Sequence, residues 1–122
     1  TDTTTHIARR DMPRQDAPHC HDGEGTVDLT WVYDARRLAG PSTERFIHDD
    51  VLPPGAGIGV HTHSDDEEYY LILSGTGRMT LDGREMPVSA GDLTLVRPGG
   101  SHGLVNDGAE PMRLLVIGAA QS

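Results

Sequence analysis

From residue 26 onward the chain alternates between short runs of branched and aromatic residues and short breaks of glycine and proline. Val27 to Tyr33 (VDLTWVY), Glu44 to Leu52 (ERFIHDDVL), Glu68 to Leu73 (EYYLIL), Arg78 to Leu81, Leu93 to Arg97, His102 to Asn106 and Met112 to Ile117 all read as strands. The breaks fall at Pro53-Pro54-Gly55, Gly75 and Gly77, Asp82-Gly83 and Pro98-Gly99-Gly100. Short apolar runs between regular turn signals predict an all-β sandwich or barrel of about eight strands. Ala35 to Leu38 adds at most a turn or a short helical piece, and no helix of useful length is expected. YYLIL and MRLLVI are apolar at consecutive positions, so both faces of those strands need cover, from a partner subunit or from the N-terminal segment. Residues 1 to 25 are polar, lack sustained periodicity and hold Pro13, Pro18, Gly23 and Gly25. They are read as an arm that becomes ordered on docking, ahead of a barrel domain spanning 26 to 122.

Composition narrows the chemistry. With 122 residues there is room for one core. Cys20 is the single cysteine, which excludes an internal disulfide and a cysteine-rich metal site, so any metal must be held by nitrogen and oxygen. All ten basic residues are arginine. Lysine Schiff-base chemistry and the lysine of a phosphate-binding loop are therefore excluded within this chain. A net charge of −9 spread along the chain argues against nucleic acid or an anionic membrane as partner. No apolar stretch reaches the length of a membrane span and no leader pattern opens the sequence, so a cytoplasmic location is expected.

The chemistry-bearing residues lie between the strands. His61 and His63 stand two apart in an extended segment, which puts both imidazoles on one face. Glu68 opens the next strand after an acidic turn, Ser64 to Glu67, and can return a carboxylate beside the rings. His102 follows the Pro98-Gly99-Gly100 turn. Three imidazoles and a carboxylate suit one first-row divalent ion and leave positions open for water or substrate. The spacing around them carries further weight: Gly55, five residues, His61, one, His63, four, Glu68, six, Gly75; then Gly91, Pro98-Gly99, His102, three residues, Asn106. This pattern resembles the two motifs of the cupin superfamily, in its small single-domain form, over about residues 43 to 118. The resemblance implies a jelly-roll β-barrel with a metal inside one end, held at the positions of His61, His63, Glu68 and His102. The six-residue spacing to Gly75 selects Glu68 over its acidic neighbours, and Asp65, Asp66 and Glu67 are read as a solvated turn. Arg97 stands where the family usually has proline, which places a cation near the barrel mouth.

Alternation from Glu68 turns Tyr70 and Ile72 inward, and from His102 it turns Leu104 and Asn106 inward. Ile72, Leu104, Asn106 and Arg97 are the expected substrate contacts, and Tyr70 and His48 the expected catalytic side chains. His19-Cys20-His21 resembles a ligand cluster but is read as a flexible or dimer-facing loop. The expected function is a small-molecule enzyme with one divalent transition metal per chain (Fe, Mn, Ni, Zn, Co or Cu). A dioxygenase-like oxygenase acting on a small enol, diol or carboxylate is placed ahead of an isomerase, lyase or decarboxylase. A non-catalytic metal or small-ligand binding module is the reading from a different class. A homodimer through the outer face of the YYLIL strand is expected.

Overall fold

Ten strands account for most of the chain in the computed structural model, which describes residues 3–38 and 42–120. In chain order they are β1 (Arg14–Pro18), β2 (Thr26–Asp34), β3 (Glu44–Leu52), β4 (Gly57–Thr62), β5 (Asp66–Ser74), β6 (Thr76–Leu81), β7 (Arg84–Ser89), β8 (Leu93–Val96), β9 (Ser101–Val105) and β10 (Met112–Ala120). They form two antiparallel sheets, β1-β2-β3-β10-β5-β8 and β4-β9-β6-β7, closed face to face as a jelly-roll barrel. The only helical pieces among the described residues are single 3-10 turns at Arg9–Asp11 and Cys20–Asp22, and no helix is long and apolar enough to cross a membrane. Ala35 to Leu38 is a hydrogen-bonded turn, in which Arg37 N–H donates to the Asp34 carbonyl.

Period-two alternation builds the core. Leu52 from β3, Ile72 from β5, Met79 from β6, Leu104 from β9 and Leu114 and Val116 from β10 all point between the sheets and are buried. The β6–β7 hairpin turns on Asp82 and Gly83, whose φ values of 48° and 81° fit the two left-handed positions of a tight hairpin turn. On the outer face of the six-stranded sheet, Ile47, Ile117, Tyr69 and Leu95 are register partners across four strands. Leu115, Leu71 and Leu93 form the next row. The same face carries Asp49, buried and held by Arg113 through two hydrogen bonds of 2.8 and 3.0 Å and by Arg9 at 3.0 Å. The Arg113 hydrogen bonds hold the Asp49 carboxyl below its ordinary range.

The N-terminal segment departs from the expected arm. Residues 14–18 pair with β2 as the edge strand of the larger sheet, in register from Arg14 opposite Thr30 to Pro18 opposite Thr26. Trp31 Nε1–H donates to Gln15 Oε1 across that pair at 2.8 Å. The sequence hides this strand because an edge strand needs only one covered face, and Ala17 alone among its residues is partly buried. Order here comes from backbone pairing within the chain.

Asn106 closes the link between β9 and β10. Its Nδ2 donates to the Leu52 and Glu110 carbonyls at 2.9 and 2.8 Å, and its Oδ1 accepts from Gly108 N–H at 3.0 Å. The amide is fully buried and its hydrogen bonds go to backbone, so Asn106 is not a substrate contact. Asn106→Ala should destabilise the fold by about 3 kcal/mol, because buried backbone groups lose their partners. Denaturant unfolding measures this, and the metal content of the folded fraction should stay at the wild-type level.

Candidate metal centre and ligand chamber

One irregularity in β4 builds the site. Ile58 pairs with Leu104 and His61 with His102, so three steps along β4 match two along β9. The extra residue is a β-bulge, and it switches the parity of the strand. Ile58 points inward, Val60 is exposed, and His61 faces inward opposite His102. Without the bulge, side chains at odd positions would lie on the opposite face from Ile58. His63 follows β4 and is anchored by backbone hydrogen bonds to the Pro98–Gly100 turn: its N–H donates to the Gly100 carbonyl and its carbonyl accepts from Gly99 N–H. Glu68 enters from β5 of the other sheet, opposite Val96 and Gly118.

These four side chains converge. His102 Nε2 lies 3.1 Å from His63 Nε2, 3.2 Å from His61 Nε2 and 3.1 Å from Glu68 Oε1, and one atom from each residue falls within 4.8 Å of all the others. A ring nitrogen either donates one hydrogen bond or accepts into one lone pair, so three heteroatoms at contact distance are not a hydrogen-bond network. They are donor atoms facing a common centre. Atoms that each lie about 2.1 Å from one ion stand about 3 Å or more apart, and the three contacts of His102 Nε2 have that spacing.

The surrounding contacts prepare the donors. His61 Nδ1–H donates to the Gly59 carbonyl at 2.8 Å, and His63 Nδ1–H to Asp66 Oδ1 at 2.9 Å, which leaves a lone pair on each Nε2. His102 is fully buried and its Nδ1 has no partner among the described residues, so only the inner side fixes its tautomer. Burial lowers the His61 pKa, with His21 and His102 acting in the same direction against the Gly59 carbonyl, and so favours the neutral ring. Burial alone would raise the Glu68 pKa, but the contact with His102 and the charges of the other rings outweigh it and the pKa is lowered. A neutral His61 ring beside an ionised Glu68 carboxylate is the combination that binding a divalent ion requires of these two groups.

A chamber of about 210 Å³ opens beside Glu68. The barrel supplies Leu29, His48, Asp50, Ile58, Glu68, Tyr70 and Val116, and the N-terminal segment supplies Gln15, Ala17, Cys20 and His21. The two expected catalytic residues, Tyr70 and His48, are both in its wall. The Tyr70 ring packs against His102 with centroids 4.4 Å apart, and burial, followed by the Glu68 and Asp50 charges, pushes its phenol pKa well up. His48 Nδ1 lies 2.7 Å from Asp50 Oδ1, and its ring stacks on Phe46. Burial raises the Asp50 pKa against the opposing hydrogen bond from His48. Burial also raises the Cys20 thiol pKa, with Asp50 and Glu68 adding to it, so Cys20 is a neutral wall rather than a thiolate.

Other expectations need correction. Ile72 and Leu104 are core side chains that do not reach the chamber. Arg97 is 69% exposed, pairs with Glu67 at 3.7 Å and borders a separate surface hollow with Asp82 and Arg84. Asp66, expected as part of a solvated turn, supports His63 instead. His19-Cys20-His21, expected as a loose or dimer-facing loop, folds over the centre, with His21 stacked on His61 at 3.6 Å and 11°. Asp50 was legible as a strand neighbour two residues from His48. Gln15 and His21 carried no such signal, because their place depends on β1 joining the sheet. A larger hollow of about 480 Å³ beside Trp31 and Phe46 offers no ligand cluster, and its Asp34 is already paired with Arg36 at 2.9 Å.

A double-sheet β-barrel with three imidazoles and a carboxylate gathered inside one end defines a metal-binding class of β-barrel proteins. Residues 49–118 match the family model for the cupin domain, and the chain belongs to the cupin family. It is 36% identical over 95 residues to an oxalate-binding protein of Thermotoga maritima, covering 78% of this chain and 77% of that one. It is also 37% identical over 65 residues to the uncharacterized protein MJ1618 of Methanocaldococcus jannaschii, covering 53% of this chain and about half (52%) of that protein. Among solved structures, a predicted oxalate decarboxylase from Thermotoga maritima superposes with a TM-score of 0.87 over 96% of this chain and 100% of that one at 24% identity, a likeness of fold.

Elemental analysis of protein prepared without chelator or nickel resin should give near one transition-metal ion per chain, and His61→Ala with His102→Ala should reduce it below about a tenth. Metal-free protein from both preparations would show that the four side chains hold no ion.

Proposed function

We propose that this chain is a mononuclear metal cupin that binds a small carboxylate in the chamber beside Glu68 and moves a proton through His48. The observation that carries the reading is the His48–Asp50 pair in the wall of the same small chamber that Glu68 borders. Its chemistry is of the lyase or decarboxylase kind. His61, His63, Glu68 and His102 would hold the ion, which supplies a Lewis acid for a carboxylate oxygen. Asp50 is 2% exposed and takes the Nδ1–H of His48, so Nε2 is the ring nitrogen left for proton transfer. A buried carboxylate on Nδ1 orients the ring and stabilises the imidazolium that forms when Nε2 takes a proton. Tyr70, held as a neutral phenol, donates rather than accepts. Leu29, Ile58 and Val116 give the space between an apolar wall.

The oxalate-binding relative supports a carboxylate as ligand. Oxygenase chemistry uses the same metal ligands but has no need of a buried carboxylate behind His48, so the pair moves the weight toward proton transfer. Metal-loaded protein should bind oxalate or a similar small acid by calorimetry. His48→Gln should leave binding within about threefold and lower any turnover at least a hundredfold. Binding without turnover in the wild type would make the chain a binding module, and oxygen uptake with small enols or diols would return it to the oxygenases.

We further propose a homodimer through the outer face of the six-stranded sheet. Leu93 is 57% and Leu73 38% exposed there, beside the rows of Leu71, Leu115, Tyr69 and Ile117. An apolar stripe on a chain of charge −9 is what a covered face requires. Sedimentation should give twice the chain mass at micromolar concentration and the single-chain mass for Leu71→Glu.

A further inference from the structure

Glu68, one of the four side chains that would hold the ion, stands in the chamber wall. The chain has no lysine, and none of its ten arginines lines the chamber. What the N-terminal segment contributes instead is neutral donors. Trp31 Nε1 can only donate, so the Gln15 atom that meets it at 2.8 Å is the amide oxygen, and neither N–H bond of that amide has a partner among the described residues. His21 makes no side-chain hydrogen bond among the described residues, and one face of its ring lies on His61.

The backbone beneath His21 is held at a cost. His19, His21 and Asp22 have φ values of 48°, 50° and 65°, left-handed conformations that are unfavourable for non-glycine residues. The turn is fixed by Asp22 N–H and Gly23 N–H donating to the His19 and Cys20 carbonyls. It also presses the His21 carbonyl into the space that a side chain at Gly59 would occupy. That close packing fixes the turn that sets Cys20 and His21 in the chamber wall, and of the two only the His21 ring offers a strong hydrogen-bond donor.

We propose that Gln15 and His21 form a recognition rim that binds the distal oxyanion of a metal-bound acid, which makes the chamber selective for small dicarboxylates over monocarboxylates. The assignment rests on the reading that a carboxylate binds beside Glu68. Asp50 and Glu68 are the carboxylates already in the wall, one held by His48 and the other among the imidazoles, so an incoming second carboxylate is left with the rim. A one-headed acid leaves the rim donors unused. A two-headed acid engages both ends.

The test is calorimetric titration of metal-loaded protein with oxalate and with formate, with metal content measured for every variant. Gln15→Ala and His21→Ala should each weaken oxalate about tenfold, the loss expected for one hydrogen bond to a charged acceptor, with formate within about twofold. Gln15→Glu keeps the acceptor for Trp31 but removes the donors and adds a charge, so it should cost oxalate more than Gln15→Ala does. His21→Gln, which retains an N–H donor, should recover part of the His21→Ala loss. Oxalate binding unaltered in the variants, or both acids weakened in parallel, would overturn the rim while leaving the carboxylate site in place. Failure of the wild type to bind either acid would overturn both.

Discussion

Three imidazoles and a carboxylate meet inside an apolar barrel with their donor atoms all within 4.8 Å of one another, and the rest of the molecule is arranged to make that tolerable. Buried polar groups facing one another are costly unless each is hydrogen-bonded or bound to an ion. The outer nitrogens of His61 and His63 are therefore committed to a backbone carbonyl and to Asp66, and the inner nitrogens are left to a shared centre. The bulge in β4 is part of the same arrangement. It disrupts one stretch of ladder pairing with β9 and in exchange brings His61 onto the face of Ile58 and His102.

The two sheets divide the labour. The four-stranded sheet and its turns bring all three histidines, while the six-stranded sheet brings Glu68, Tyr70, His48 and Asp50. The centre thus straddles the barrel, and the chamber lies against the six-stranded wall. The N-terminal segment completes it from outside: β1 extends the larger sheet, and the turn after it crosses to pack on β4. A ligand in the chamber would touch the barrel on one side and residues 15 to 21 on the other. That arrangement gives a small fold a two-sided chamber without a long lid.

Gly59 joins these parts. Its carbonyl accepts from His61 Nδ1–H, it lies in the bulge, and its missing side chain admits the His21 carbonyl. One residue therefore couples the orientation of a metal-facing ring, the parity of the strand and the seating of the N-terminal turn. Metal-centre geometry and chamber shape are linked through backbone rather than through a side-chain relay.

The alternation of apolar runs and turn residues determined the all-β class and the approximate places of β2, β3, β5, β6, β8, β9 and β10, because strand period and turn chemistry are local properties of a chain. The spacing of His61, His63, Glu68 and His102 singled out the candidate ligands for the same reason. Short local rules could not supply the rest. β1 is an exposed edge strand whose pattern is silent, and its pairing with β2 decides that Gln15 and His21 reach the chamber. Asn106 and Leu104 share the inward face that alternation predicts, yet inward at that level of the barrel means core and backbone support, not ligand contact. The β4 bulge, the tie between His48 and Asp50, and the folding of His19–Asp22 over His61 depend on which strands face each other. That was decided only when the two sheets closed.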